Sequence, residues 1–151
     1  MCPPKLAALR YRTLCSFFPS SKVIIPSALS GGSLSVRLKE AIAKYGAERL
    51  ALGVQRVAED FFLPAPSGSG VPLSRDALQQ RIQERSPSIF FSNELCAHYF
   101  TYMSRQSGAH FILFDDAGSI RKKLSLCQDL GIRQAILAYP EVDDLLSRLL
   151  S

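Results

Sequence analysis

The chain has no tryptophan, no Cys-x-x-Cys pair and no apolar run near the roughly 20 residues needed to cross a bilayer. Its four cysteines, at positions 2, 15, 96 and 127, lack the spacing of zinc ligands, which predicts reduced, partly buried thiols. The two histidines also lack partners at metal-ligand spacing. The sequence thus implies no metal ion and no cofactor.

Nothing at the N-terminus has the pattern of a secretion signal. Pro, Lys and Arg interrupt the first apolar residues, and no small-residue cleavage pattern follows them. We therefore expect no signal peptide and no membrane contact. The compartment stays unknown from the sequence, with the cytoplasm as the default expectation.

The 151 residues, 47% hydrophobic and 21% charged, predict one soluble globular domain. The net charge of +5 is concentrated in residues 1–50, which hold eight Lys or Arg against two Glu. Such an excess can attract a polyanion. However, the charges are scattered and are not interleaved with aromatic residues as in single-strand binders. A solvated helix face is the favoured interpretation, and nucleic acid is not an expected partner.

Residues 110–139 contain an aromatic-rich apolar run, an acidic turn, a helical pattern and a second apolar run over residues 132–139. This order predicts a βαβ unit, from which parallel sheets are built. We expect Ser119 to cap the helix and Gly131 to end it. Three basic residues are expected on the outer face of this helix: Arg121, Lys122 and Lys123.

The remaining pattern predicts a single α/β domain over residues 22–151, preceded by a helical segment over residues 1–21. A strand over residues 22–28, a helix over residues 34–45 and a strand over residues 49–54 form a first βαβ unit. Three apolar residues are expected on the inward face of that helix: Val36, Leu38 and Ile42.

An α+β insertion is expected over residues 57–114, between the two βαβ patterns. It holds a helix that begins after Ser74 and a β-hairpin between residues 99–104 and 111–114. A helix over residues 142–150 closes the chain.

Three short motifs, taken in order, resemble the C-terminal part of glycoside hydrolase family 18 barrels. They are LGVQRVAEDF at residues 52–61, AHYFTY at residues 97–102 and HFILFDDAGSIRKKL at residues 110–124. The likeness is strongest to chitinase-like and spore-cortex members that carry an α+β insertion before their last repeat. The third motif places five residues at matching positions: Phe114, Asp115, Asp116, Ser119 and Lys123.

The resemblance implies a partial (βα) barrel-like parallel sheet of three βα repeats, equivalent to strands six to eight of such a barrel. It also implies a ligand that contains N-acetylglucosamine, as in chitin or peptidoglycan. The residues implied to bind this glycan are Asp60, Phe61 and Tyr139.

The chain departs from the family where catalysis occurs. The family's Asp-x-x-Asp-x-Glu motif, whose Glu protonates the leaving oxygen, is absent from the sequence. Ala28, Val57 and Ala138 stand where the family carries two tyrosines and a tryptophan that hold the reacting sugar. The resemblance thus implies no catalytic residue and a non-catalytic remnant of a glycoside hydrolase.

Several residues allow two interpretations. Asp115 and Asp116 have the chemistry of an acid and base pair, but capping the following helix explains them more simply. Asp60 is suited either to bind a sugar hydroxyl or to stabilise a loop. The hairpin aromatic residues are suited to stack on a sugar or to pack a sheet. The Ser-Gly-Gly-Ser stretch at residues 30–33 suggests phosphate binding or, more simply, a flexible turn.

Two alternatives to a non-catalytic glycan binder stay open. The chain is either the C-terminal half of a hydrolase that another chain completes, or a basic α/β interaction module. The first strand of a partial barrel also leaves an open edge, which proteins normally cover or pair. We expect self-association, a partner chain or the helix over residues 5–18 to cover it.

Overall fold

The computed structural model describes residues 21–29, 31–64 and 70–151. The helix expected over residues 5–18 lies outside these ranges, as do Cys2, Cys15 and Ser30.

Strands and helices alternate over residues 23–54 and 108–149, and strands dominate the described residues between them. A 3₁₀ turn, Ala47–Arg49, precedes the second strand. The other elements are β1 Val23–Pro26, α1 Leu34–Tyr45, β2 Leu50–Val54, β3 Ala58–Leu63, β4 Val71–Pro72, α2 Arg75–Arg85, β5 Phe90–Ser92, β6 Ala97–Ser104, β7 Gly108–Phe114, α3 Ala117–Asp129, β8 Ala135–Leu137, α4 Tyr139–Val142 and α5 Leu146–Leu149.

The strands form two sheets. A three-stranded parallel sheet has the order β1-β2-β8, and a five-stranded antiparallel sheet has the order β4-β3-β7-β6-β5. The parallel sheet with its connecting helices confirms the predicted α/β class. The predicted hairpin is also confirmed, since β6 pairs with β7 from His98 opposite Phe114 to Ser104 opposite Gly108.

Helices α1 and α3 cover one face of the parallel sheet with a core in which Leu38, Leu52 and Ile120 are fully buried. Cys127 belongs to this core, as its position on the apolar side of α3 predicted. The expectation that Val36 faces inward is wrong, since it is 53% exposed. Leu34 faces inward instead, and Val36 lies about 200° further around the helix.

The start of α3 differs from the prediction. Asp116, not Ser119, is the N-cap, and its side chain accepts a hydrogen bond from the Ser119 backbone nitrogen at 2.8 Å. The Ser119 hydroxyl in turn accepts from the Asp116 backbone nitrogen at 3.0 Å, which completes a capping box. The end of α3 follows the prediction, because Gly131 adopts φ of 83°.

The C-terminal region is less regular than predicted. The expected strand over residues 132–139 shortens to β8, and the expected helix over residues 142–150 divides into α4 and α5. Asp143 explains the division, because its carboxylate accepts a hydrogen bond from the Asp144 backbone nitrogen at 2.9 Å. Such a local bond competes with the helical one. Arg75 holds the same carboxylate at 2.7 Å.

Among the residues with described coordinates, no helix has both the length and the apolar character needed to cross a membrane.

Candidate functional site

The two sheets are joined by a buried ion pair. Asp115, which follows β7, exchanges hydrogen bonds with Val57, which follows β2: its backbone nitrogen lies 2.8 Å from the Val57 oxygen, and its Oδ2 lies 3.1 Å from the Val57 nitrogen. Lys123 Nζ donates to both carboxylate oxygens of Asp115, at 2.8 and 2.6 Å. Ser119 Oγ adds a further bond at 2.7 Å. This joint fixes the entry and exit of the insertion against α3.

The expectation that Lys123 lies on the outer face of its helix is wrong, because its side chain is 0% exposed. Lys123 lies three residues after Ile120 and four before Cys127, so helical geometry places it on the apolar face. That spacing was visible in the sequence, although the charge of the residue argued against burial.

Asp115 and Asp116 have different partners in the structure. Asp116 is the helix cap, which confirms the capping interpretation for that residue. Asp115 is fully buried and bound to Lys123. The two carboxylates therefore serve two separate structural contacts.

The carboxyl ends of the parallel strands meet at one edge of the sheet, where α/β barrels carry their ligand sites. Ala28 follows β1, Val57 follows β2 and Ala138 follows β8, so all three replaced positions lie at this edge. Tyr139 comes next in the chain as the first residue of α4, and its side chain is 68% exposed.

One face of the antiparallel sheet adjoins this edge. Its buried residues Val57, Phe61, Ala97 and Leu113 form a cluster against which Ala28 packs. Four aromatic rings cross the sheet on this side, and we call them the aromatic row: Phe90, Tyr99, Phe111 and Phe61.

The rings of the aromatic row contact one another in sequence. Phe90 and Tyr99 are 5.7 Å apart, Tyr99 and Phe111 stack at 5.2 Å, and Phe111 meets Phe61 edge-on at 6.0 Å. Exposure increases along the row, from the buried Phe61 through half-buried Phe111 and Tyr99 to the exposed Phe90. The aromatic residues of the hairpin therefore pack on the sheet and still present part of their surface.

Asp60 lies on the opposite face of the same sheet, because successive strand residues alternate in direction. Its carboxylate is 2% exposed, pairs with Arg81 of α2 and lies 2.8 Å from His110 Nδ1. Tyr102 Oη lies 2.5 Å from the same guanidinium. The structure thus does not place Asp60 on one surface with Phe61 and Tyr139.

The Asp60 network perturbs its neighbours. Burial opposes charge on Arg81, but the hydrogen bonds and charge interactions with Asp60 and Tyr102 together outweigh it and raise the pKa of the guanidinium above its ordinary value. Burial, with the nearby charge of Asp60, raises the pKa of Tyr102. Sequence reasoning missed these contacts, which join residues 21 and 50 positions apart.

Within residues 21–29, 31–64 and 70–151, no group of three or more His, Cys, Asp or Glu side chains is arranged to hold a metal ion.

Comparison with known proteins gives a consistent relationship. No family model matches the chain. A Bacillus subtilis protein, the cortical fragment-lytic enzyme, is 28% identical over 112 residues, which cover 72% of this chain and 26% of that protein. The chain thus spans about a quarter of the length of this curated relative.

Two solved structures are similar to most of the chain. The chitinase of Chromobacterium violaceum matches with a TM-score of 0.69 and 19% identity over 86% of this chain and 44% of that one. The Bacillus cereus spore cortex-lytic enzyme SleL matches with a TM-score of 0.64 and 20% identity over 84% of this chain and 34% of that one. At these identities the structures establish a shared fold. The chain is related to glycoside hydrolases, and its fold is that of part of the chitinase-like and spore cortex-lytic barrels.

Proposed function

We propose that this chain is a non-catalytic relative of the family 18 glycoside hydrolases that binds glycans containing N-acetylglucosamine. The observation that carries the proposal is the state of its candidate carboxylates. Asp60, Asp115 and Asp116 all form internal hydrogen bonds, and two of them are buried in ion pairs. A carboxylate bound in this way is poorly suited to exchange a proton with a glycosidic oxygen. The glycan class comes from the chitinase and cortex-lytic relatives.

The replaced positions at the carboxyl edge support the same proposal. Ala28, Val57 and Ala138 offer no hydroxyl and no indole ring where the resemblance implies contacts to the reacting sugar. The backbone at this edge is nevertheless held in place, because the Val57 nitrogen donates a hydrogen bond to the Asp115 carboxylate. Loss of the chemistry and retention of the scaffold together favour binding without turnover.

We assign direct glycan contact to Tyr139 and to the accessible end of the aromatic row, Phe90 and Tyr99. Exposed aromatic rings offer apolar faces with a polar tip, which suits the alternating character of a sugar ring. Phe61 is the buried end of the row, and Asp60 holds β3 from its other side, so we assign both of them supporting roles in this site.

We further propose that the parallel sheet is a partial barrel wall made of three βα repeats. In this proposal residues 22–151 form one domain, and the insertion spans residues 57–114. Both outer strands, β1 and β8, have only β2 as a partner in the described parts of the chain. The sheet face away from the helices exposes Ile24 at 39% and Ile136 at 51%. Open edges and exposed apolar residues favour self-association or coverage by another segment.

Light scattering of the full chain tests whether self-association covers the open strand edges. We expect a dimer or larger species. A monomer that stays soluble after removal of residues 1–20 would exclude both self-association and coverage of the edge by that segment.

Titration with the N-acetylglucosamine tetramer, followed by amide shifts in NMR, tests glycan binding. Tyr139→Ala should weaken binding about fivefold, the effect of losing roughly 1 kcal/mol at a contact residue. Val36→Ala, an exposed change on α1, serves as the control and should leave the affinity unchanged. Shifts that avoid Tyr139 would refute the assigned surface, and release of shorter oligomers by the purified chain would refute the non-catalytic proposal.

A further inference from the structure

A serine, a histidine and an aspartate form a continuous hydrogen-bonded chain on the face of the antiparallel sheet opposite the aromatic row. Ser107 Oγ lies 2.5 Å from His110 Nε2, and His110 Nδ1 lies 2.8 Å from Asp60 Oδ1. Ser107 occupies the exposed turn between β6 and β7, whereas His110 is 4% and Asp60 2% exposed. The hydroxyl of an exposed serine is thus hydrogen-bonded to a buried base, which is hydrogen-bonded in turn to a buried carboxylate.

The contacts fix which nitrogen of His110 carries the proton. Asp60 pairs with the guanidinium of Arg81, and a carboxylate in an ion pair accepts hydrogen bonds. Nδ1 therefore donates to Asp60, which leaves Nε2 as the acceptor for the Ser107 hydroxyl. This is the tautomer that a serine nucleophile requires of its base.

The imidazole is also held in place by ring contacts. Tyr102 stacks on it with 4.6 Å between ring centroids and an angle of 6°, and Phe62 contacts it at 4.5 Å. Gly108 adopts φ of 83° in the turn, a conformation that favours glycine and that sets the path of the backbone between Ser107 and His110. Strand pairing and packing thus hold His110 and Asp60, and the turn between β6 and β7 presents Ser107 to the imidazole.

We propose that Ser107 is an activated nucleophile that takes acyl groups from small carboxylic esters, with His110 as the general base and Asp60 as the positioning residue. Ser107 Oγ attacks the ester carbonyl carbon while its proton passes to His110 Nε2. The tetrahedral adduct then expels the alcohol, which takes that proton. Water, deprotonated by the same imidazole, releases the carboxylic acid and restores the serine.

We assign small esters to this position because Ser107 lies on an exposed turn, where the ester reaches it from solvent and needs no deep cavity. The site lies on the sheet face opposite the aromatic row and shares only Asp60 with the proposed glycan site, so Ser107 can be changed without altering the glycan surface.

A fluorophosphonate probe tests the nucleophile on the full chain. Reaction forms a bond between Ser107 Oγ and phosphorus and releases fluoride, which adds one phosphonyl group to the intact mass. We expect the group on Ser107 by peptide mapping, its loss in Ser107→Ala, and full labelling in Ser104→Ala, a control from the same hairpin. Release of p-nitrophenolate from p-nitrophenyl acetate should fall with the same variant.

The rate of labelling tests whether His110 is the general base. His110→Gln should slow labelling by about 10²-fold or more, the range that a positioned general base supplies. Because this residue is buried and its variant can unfold, a solvent isotope effect on the unmodified protein provides a second test. Labelling should be slower in D₂O than in H₂O, because the base takes the Ser107 proton as Oγ attacks. Absence of label on Ser107, equal rates in the two solvents, or equal labelling of a folded His110→Gln protein would overturn the proposal.

Discussion

Replacement of Lys123 by alanine is expected to be among the most destabilising single changes in this chain. Its ammonium lies 2.8 and 2.6 Å from the two oxygens of Asp115, and both side chains are 0% exposed. Removal of one partner leaves a buried carboxylate without its counter-ion, which typically costs about 3–5 kcal/mol. Domains of this size are stable by roughly 5–15 kcal/mol, so the change removes a large fraction of the total.

Urea unfolding followed by circular dichroism measures this loss. Lys39→Ala, an exposed change on α1, is the matched control and should stay within about 0.5 kcal/mol of the unmodified protein. The double variant Lys123→Met with Asp115→Asn removes both charges while it keeps the apolar stem. It should recover part of the loss, because an uncharged pair of similar volume is often tolerated in place of a buried ion pair.

The measured loss of stability distinguishes an ion pair that excludes water from one that water reaches. A loss below about 1 kcal/mol for Lys123→Ala is the value of an exposed pair, and it would show that water reaches Asp115. Such a result would refute the reasoning that this ion pair fastens the insertion to α3.

Four further predictions concern other residues of the fold. Burial raises the pKa of Cys127 to about 11, so at pH 8 its thiol should resist iodoacetamide in the native protein and react in guanidinium; equal rates by peptide mapping would contradict this. Because the thiol of the unfolded chain loses its proton at a lower pH than the buried one, the free energy of unfolding should fall as the pH rises from about 9 towards 11. Cys127→Ala should flatten that decline. Asp116→Ala removes the N-cap of α3 and should cost about 1 kcal/mol in urea unfolding, whereas an unchanged midpoint would show that the capping box is dispensable. Gly53→Ala would place a Cβ 2.8 Å from Ile24 Cγ2, and we expect a loss of about 1–3 kcal/mol by thermal unfolding, with a neutral result indicating that Ile24 moves aside.

Local signals in the sequence predicted much of the fold. The structure has α1 over the predicted residues, and Ser74 caps α2 by accepting from the Ala77 nitrogen at 3.1 Å. The hairpin of β6 and β7 was visible from its alternating aromatic residues and its turn. These features depend on neighbours within a few positions, so a single sequence contains the information that determines them.

Contacts between distant residues explain what the sequence did not predict. Asp60 binds a guanidinium on α2 and an imidazole on β7, and no local pattern reports which strands carry these partners to it. The break between α4 and α5 has a similar cause, since Asp143 turns to Arg75, 68 residues away in the chain. The parallel pairing of β1, β2 and β8, by contrast, followed from the alternation of strands and helices along the chain.

The residues that carry the family resemblance prove to be mainly structural. Asp115, Ser119 and Lys123 bond to one another in the buried joint and therefore support the fold whether or not a substrate is present. The joint is formed by the side chains of these three residues and by the backbone of Val57, so the side chains at positions 28 and 138 donate and accept none of its hydrogen bonds. Similarity of this motif to chitinase-like proteins is consequently an argument about architecture. The proposed absence of catalysis depends on different residues, and the two can be tested separately: the joint by unfolding, and the edge by glycan binding without turnover.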